Sequence, residues 1–180
     1  MYARRVSRDH AKAIGLFTEG FAARLRSGDV AVRWNDIGGT RQRHVVTVAR
    51  SPLGPVWGRS VSTYTVVPNE GGPIVFDSNF EDADWLFARI DGIVQQAAHR
   101  AALSALAAGG SVPFGAVSLS PHGVQVSGRN IPWADLRAVR VEGGKVRFLE
   151  ERRSHEVEVG KLENSSVLLT LVRDHGVPLN

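Results

Sequence analysis

The chain has no cysteine in its 180 residues. That absence removes disulfide frameworks, thiolate zinc sites and thiol nucleophiles together, and it is compatible with a reducing compartment. Lysine is nearly absent as well. Of 22 basic residues only Lys12, Lys145 and Lys161 are lysines. The arginine bias accompanies many Ala, Gly and Val residues and fits GC-rich coding, so it is no argument for arginine-specific chemistry. The net charge of +4 and a pI near 10.1 favour loose attraction to anionic surfaces. However, 18 acids are interleaved with the bases and no basic block exists, so nucleic acid is not an expected partner. No apolar run approaches the roughly 20 residues that span a bilayer. The basic start, Met1 to Arg8, lacks the apolar core of a secretory signal, so a cytoplasmic location is expected.

The usual marks of catalysis are also missing. There is no Gly-x-Ser-x-Gly elbow, P-loop or dinucleotide fingerprint. His155-Glu156-Val157-Glu158 lacks zincin spacing, and the six histidines are scattered. Asp82 and Asp84 are explained by the positive end of a helix. Neither an enzyme nor a metal or other cofactor is expected.

What the chain does have is an internal repeat. Leu16-x-x-x-Gly20, Ser27-Gly28 and Trp34-Asn35-Asp36-Ile37 recur as Leu119-x-x-x-Gly123, Ser127-Gly128 and Trp133-Ala134-Asp135-Leu136. Each copy leads into strand-like sequence and then an apolar helical stretch. Two copies of one small β-rich unit are the simplest account. The Trp-x-Asp steps read as structural corners: Trp34 and Trp133 bury area and seek a local carbonyl, while Asp36 and Asp135 cap the following turn.

Residues 1–13 read as a flexible basic lead or short helix. Strands are expected around the Glu19-Gly20 turn, over Val30–Trp34, and in the two arms Arg41–Arg50 and Val61–Val67 of a long hairpin. Asp36 to Gly39 should break the chain between strands. The segment 51–60, with two prolines and two glycines, reads as the hairpin's loop. Ser78-Asn79-Phe80-Glu81 resembles a capping box opening a helix over about 79–108, with Leu86, Ile90, Ile93, Ala97, Ala101 and Ala105 on one face. In the second half, strands are expected at Val112–Leu119, Val124–Val126, Asn130–Trp133, Leu136–Val141, Lys145–Glu150 and His155–Val159. A closing helix follows over about 164–175.

Short antiparallel strands closed by one C-terminal helix resemble the pleckstrin-homology (PH) superfold. The pattern of Gly turn, Trp-x-Asp-hydrophobic step, strands and helix is similar to that of an uncharacterised bacterial family with tandem PH-like domains. It is carried here by Gly20 with Trp34 to Ile37, and by Gly123 with Trp133 to Leu136. The resemblance implies an α+β fold of two tandem PH-like units, each an antiparallel curved sheet or partly open barrel closed by a C-terminal helix. The units would cover 14–108 and 111–176 and be joined through the long helix. The first copy offers little strand-like sequence before Leu16, so its sheet would lack an edge strand.

Function is expected where the copies differ, because the second half has no hairpin as long as the first. Trp57, with Leu53 and Val56, sits between Arg50 and Arg59, the composition of a protein hot spot or a membrane-interface anchor. Arg41 and Arg43 either extend this patch or lie on a solvated face, and Trp57 either stands exposed or folds back on its own sheet or the neighbouring domain. The expected activity is non-enzymatic binding or scaffolding of a protein or peptide, with a homodimer as one form. The alternative is peripheral binding to anionic lipid through hairpin 50–60.

Overall fold

A computed structural model describes residues 2–5, 13–25, 28–51, 54–78 and 82–180; for 2–5, 47–51 and 54–59 it describes the backbone only. The chain divides into two compact units, Met1–Val94 and Gln95–Asn180. The described residues are α+β, with four small antiparallel sheets, two helices and no closed barrel. None of their helices is long and apolar enough to cross a membrane.

In the first unit, β1 (Tyr2–Arg5), β2 (Ala13–Leu16), β3 (Gly20–Leu25) and β4 (Gly28–Arg33) form a four-stranded sheet in chain order. Within the expected lead 1–13, Tyr2–Arg5 is a strand and supplies the edge expected to be missing, while Met1 and residues 6–12 lie outside the described residues. Tyr2-Ala3-Arg4-Arg5 has little apolar signal of its own, and its extended form comes from pairing with all four residues of β2. Alternation then sorts the faces. Ile14, Ala23 and Val30 are cross-strand neighbours, as are Leu16, Phe21 and Val32, and both rows turn inward.

Trp34–Asp36 makes one 3-10 turn and β5 (Ile37–Ser51) begins directly after it. The break therefore falls earlier than expected, because Gly38 and Gly39 are accommodated at a register shift within the strand. β5 pairs with β6 (Gly54–Pro68), and β6 with β7 (Ile74–Asp77). Most of the expected loop 51–60 is strand: pairing runs out to Ser51 opposite Gly54. Pro55 is admitted there because it lies beyond the irregularity between Ala49 and Arg50, near the end of the ribbon. Leu53 lies outside the described residues.

α1 (Ala83–Ala107) starts later than the capping-box reading placed it. Ser78 instead closes onto β6, its Oγ accepting the Ser62 amide at 3.1 Å while its own amide bonds the Ser62 carbonyl at 2.9 Å. Ala83, Leu86, Phe87, Ile90 and Val94 of the helix join the first core with Tyr64, Val66, Ile74 and Phe76. The buried face is thus rotated from the expected one, and Ala97 and Ala101 are exposed. Alanine fits either environment, whereas Phe87 and Val94 carry the apolar area that fixes the rotation. At the C-terminus Gly109 and Gly110 donate to the carbonyls of Leu106 and Ala105, at 3.0 and 2.8 Å, in a Schellman arrangement that needs the positive φ of Gly109.

The second unit follows the same element order. β8 (Val112–Phe114), β9 (Val117–Ser120), β10 (Gly123–Val126) and β11 (Arg129–Pro132) form a four-stranded meander. β12 (Ala138–Glu142), β13 (Lys145–Leu149) and β14 (Ser154–Glu158) form a three-stranded one, and α2 (Ser165–Asp174) closes the unit. The expected strand Val112–Leu119 is split in two by a turn at Gly115. The core holds Phe114, Leu119, Ile131, Phe148, Leu168 and Leu171, with Ala102 contributed by α1.

The repeated sequence has a repeated geometry. The Trp34 amide donates to the Glu19 carbonyl at 2.9 Å, and the Trp133 amide to that of His122 at 3.3 Å. The indole N–H groups reach Thr18 O at 3.0 Å and Ser120 O at 3.1 Å. The two acids behave differently from the expected caps. Asp36 and Asp135 are exposed, and the hydrogen bonds described at both run through backbone groups.

Candidate functional site

The β5–β6 register decides how the expected binding residues are arranged. Between residues 39 and 49 the pairing is regular, with Arg41 opposite Thr65, Arg43 opposite Thr63, Val45 opposite Val61, Thr47 opposite Arg59 and Ala49 opposite Trp57. Strand alternation therefore places positions 41, 43, 57 and 59 on one face of the hairpin. Arg50 lies beyond the irregularity, opposite Pro55, and does not continue that alternation. The other face holds Thr40, Gln42, His44 and Val46 with Val66, Tyr64, Ser62 and Ser60, and near its root it packs under α1.

Arg41 is half-buried and Arg43 exposed. Their cross-strand neighbours are threonines, and a single acid, Asp77, ends the Arg43–Thr63 row. The equivalent sheet of the second unit is different. There Arg147 stands between Glu142 and Glu156, with Glu156 at 2.6 Å, and Lys145 also meets Glu156 at 2.6 Å. The Lys145 hydrogen bond, aided by the Arg147 charge, holds the Glu156 carboxyl below the usual carboxylate range.

The hairpin also outruns its sheet. β7 pairs only with Thr63 to Val66 of β6, so the stretch from Gly54 to Val61 has β5 as its one strand neighbour among the described residues. Val45 and Val46, on opposite faces, are 38% and 61% exposed. At the root of this ribbon His44 bridges two serines, with Nδ1 2.8 Å from Ser62 Oγ and Nε2 2.7 Å from Ser60 Oγ. A neutral imidazole can accept from one hydroxyl and donate to the other, which clasps the strands where the third strand ends. Sequence reasoning missed this triplet, because the three residues meet only in the correct register.

Two contacts tie α1 to the sheet beneath the ribbon. The buried Tyr64 hydroxyl donates to Asp84, and the buried Thr40 hydroxyl to Asp91. Asp84 thus has a second role beyond the helix dipole. The outer face of the first sheet is a shallow concavity of about 530 Å³, floored by Gly15, Ala22 and Ala31 and rimmed by Phe17 and the Arg24–Asp29 pair. Among the described residues no group of acids and histidines could hold a metal ion.

No curated protein matches the chain. A family model matches residues 5–178, and the chain belongs to that family of unknown function (DUF6585).

Proposed function

We propose that the chain is a non-enzymatic binding module of two tandem PH-like units, and that a protein or peptide partner docks on the β5–β6 ribbon. The PH-like reading is supported by the plan of each half: a four-stranded meander, a three-stranded meander and a closing helix. The observation that carries the function is the ribbon's overreach past β7. Among the described residues it leaves strand edges without a third strand and the valines at 45 and 46 exposed. Two-stranded ribbons are marginal alone, and a third strand or an apolar surface is what stabilises them. Arginine at positions 43 and 59, which strand alternation puts on one face, sets the preference for acidic surroundings.

Affinity capture from the native lysate tests the proposal. Changing Trp57 and Arg59 together to Ala and Ser should remove the captured partners while thermal melting stays within a few degrees of the parent. An unchanged set of partners would take the ribbon out of consideration. A second reading rests on the same basic face with its tryptophan position: peripheral attachment to an anionic lipid surface.

A further inference from the structure

The ribbon has two open edges of unequal quality. Along the outer edge of β6, Pro55 has no amide hydrogen to give and Gly58 weakens the strand. Along β5, Gln42 to Ser51 contains neither proline nor glycine, and its centre, Val45-Val46-Thr47-Val48, is β-branched throughout. Among the described residues this stretch has β6 as its one strand neighbour. We infer that a second copy of the chain occupies this edge, so that two β5 strands pair antiparallel about a two-fold axis at Val46. The inference rests on the ribbon being a docking surface and names the occupant.

The register follows from charge and shape. Centred on Val46, the pairing sets Val45 opposite position 47, His44 opposite 48, Arg43 opposite Ala49 and Gln42 opposite Arg50. No arginine faces an arginine, and β-branched residues face one another in the middle. Moving the axis to Val45 sets His44 against the exposed Val46. Moving it to Thr47 sets His44 against Arg50 and carries the overlap further past the irregularity at Ala49 and Arg50. Such an interface is isologous and closes on itself, which suits an edge that would otherwise template open-ended association. It also places positions 43 and 59 of both copies on one side of the joined ribbon.

The cysteine-free chain allows a direct test. Directly opposed antiparallel residues have Cα atoms about 4.5–5.5 Å apart, within disulfide range. In the full chain, Val46→Cys should therefore oxidise to a disulfide-linked dimer almost completely. Val75→Cys, on β7 and also exposed, should remain largely monomeric. The parent should sediment at twice 19.5 kDa at roughly 100 µM, where even a micromolar dimer is populated. Val46→Lys, which sets lysine against lysine, should return it to 19.5 kDa with an unchanged melt. A monomeric parent overturns the inference, as does a dimer indifferent to Val46→Lys whose Val46→Cys form does not cross-link. If a monomeric parent still captures partners through Trp57 and Arg59, the docking proposal survives and only its occupant is wrong.

Discussion

At the scale of single residues, the repeat is a record of where two backbones meet. A Cβ built on Gly20 would lie 2.1 Å from the Val32 carbonyl oxygen, and one on Gly123 would lie 2.1 Å from that of Ile131. Neither clash can be relieved by a side chain moving aside. Gly20→Ala and Gly123→Ala should each destabilise by about 3 kcal/mol or more, as overpacking against backbone does. Gly128→Ala, at φ +83° with open space around it, should cost about 1 kcal/mol through backbone strain alone. Chemical denaturation of the three variants measures the contrast. Glu156 offers a test of charge. Its lowered carboxyl contributes stability above its unfolded titration range, and that contribution is lost as pH falls through the folded one. Lys145→Met should raise its midpoint towards the ordinary carboxylate range, read from the carboxyl carbon shift by NMR. The glycines and tryptophans were legible because each copy needs them at the same place. The His44 clasp was not, since Ser60 and Ser62 sit 16 and 18 positions away and only register joins them.

At the scale of elements, α1 is held by more than its apolar face. Tyr64 is fully buried, stacks on Phe87 at 4.7 Å between ring centres, and donates to Asp84. Tyr64→Phe keeps the stack and removes the charge-assisted hydrogen bond, which should cost about 1.5–3 kcal/mol in thermal or denaturant unfolding. Asp84→Asn, with Tyr64 kept, should cost less, because an amide oxygen can still accept from the Tyr64 hydroxyl. Helices were the most legible elements, with both C-termini set by glycine. Their starts and rotations were less so. Ser78 has the chemistry of a cap but its hydroxyl goes to β6, and alanine leaves the helix face ambiguous. Apart from Val112–Leu119, which Gly115 divides, the strands of the second half were read to within two residues of their ends because turns with glycine or charge separate them. Residues 54–60 misled for a physical reason: proline and glycine weaken a sheet interior, but they are tolerated on a ribbon with an open edge.

For the whole molecule, the long-range charge decides between a protein and a lipid partner. Net charge +4 with a basic ribbon face would give attraction to acidic vesicles that fades as salt shortens the Debye length to about 8 Å. Lipid attachment requires co-sedimentation with phosphatidylserine vesicles at low salt, its loss at high salt, and its weakening by Arg43→Ser with Arg59→Ser. Absence of binding at low salt would eliminate that reading. The edge strand Tyr2–Arg5 was not legible in the sequence, because it owes its form to its neighbour. The shared element order also bears on how the chain folds. Two halves with one plan risk exchanging strands before either is complete, a recurrent failure of repeated domains. The hairpins differ in a way that opposes this error: the β5 and β6 arms are 15 residues each, while β12 and β13 have five. A strand borrowed across that mismatch would leave most of a long arm unpaired, so the difference in length disfavours the exchange.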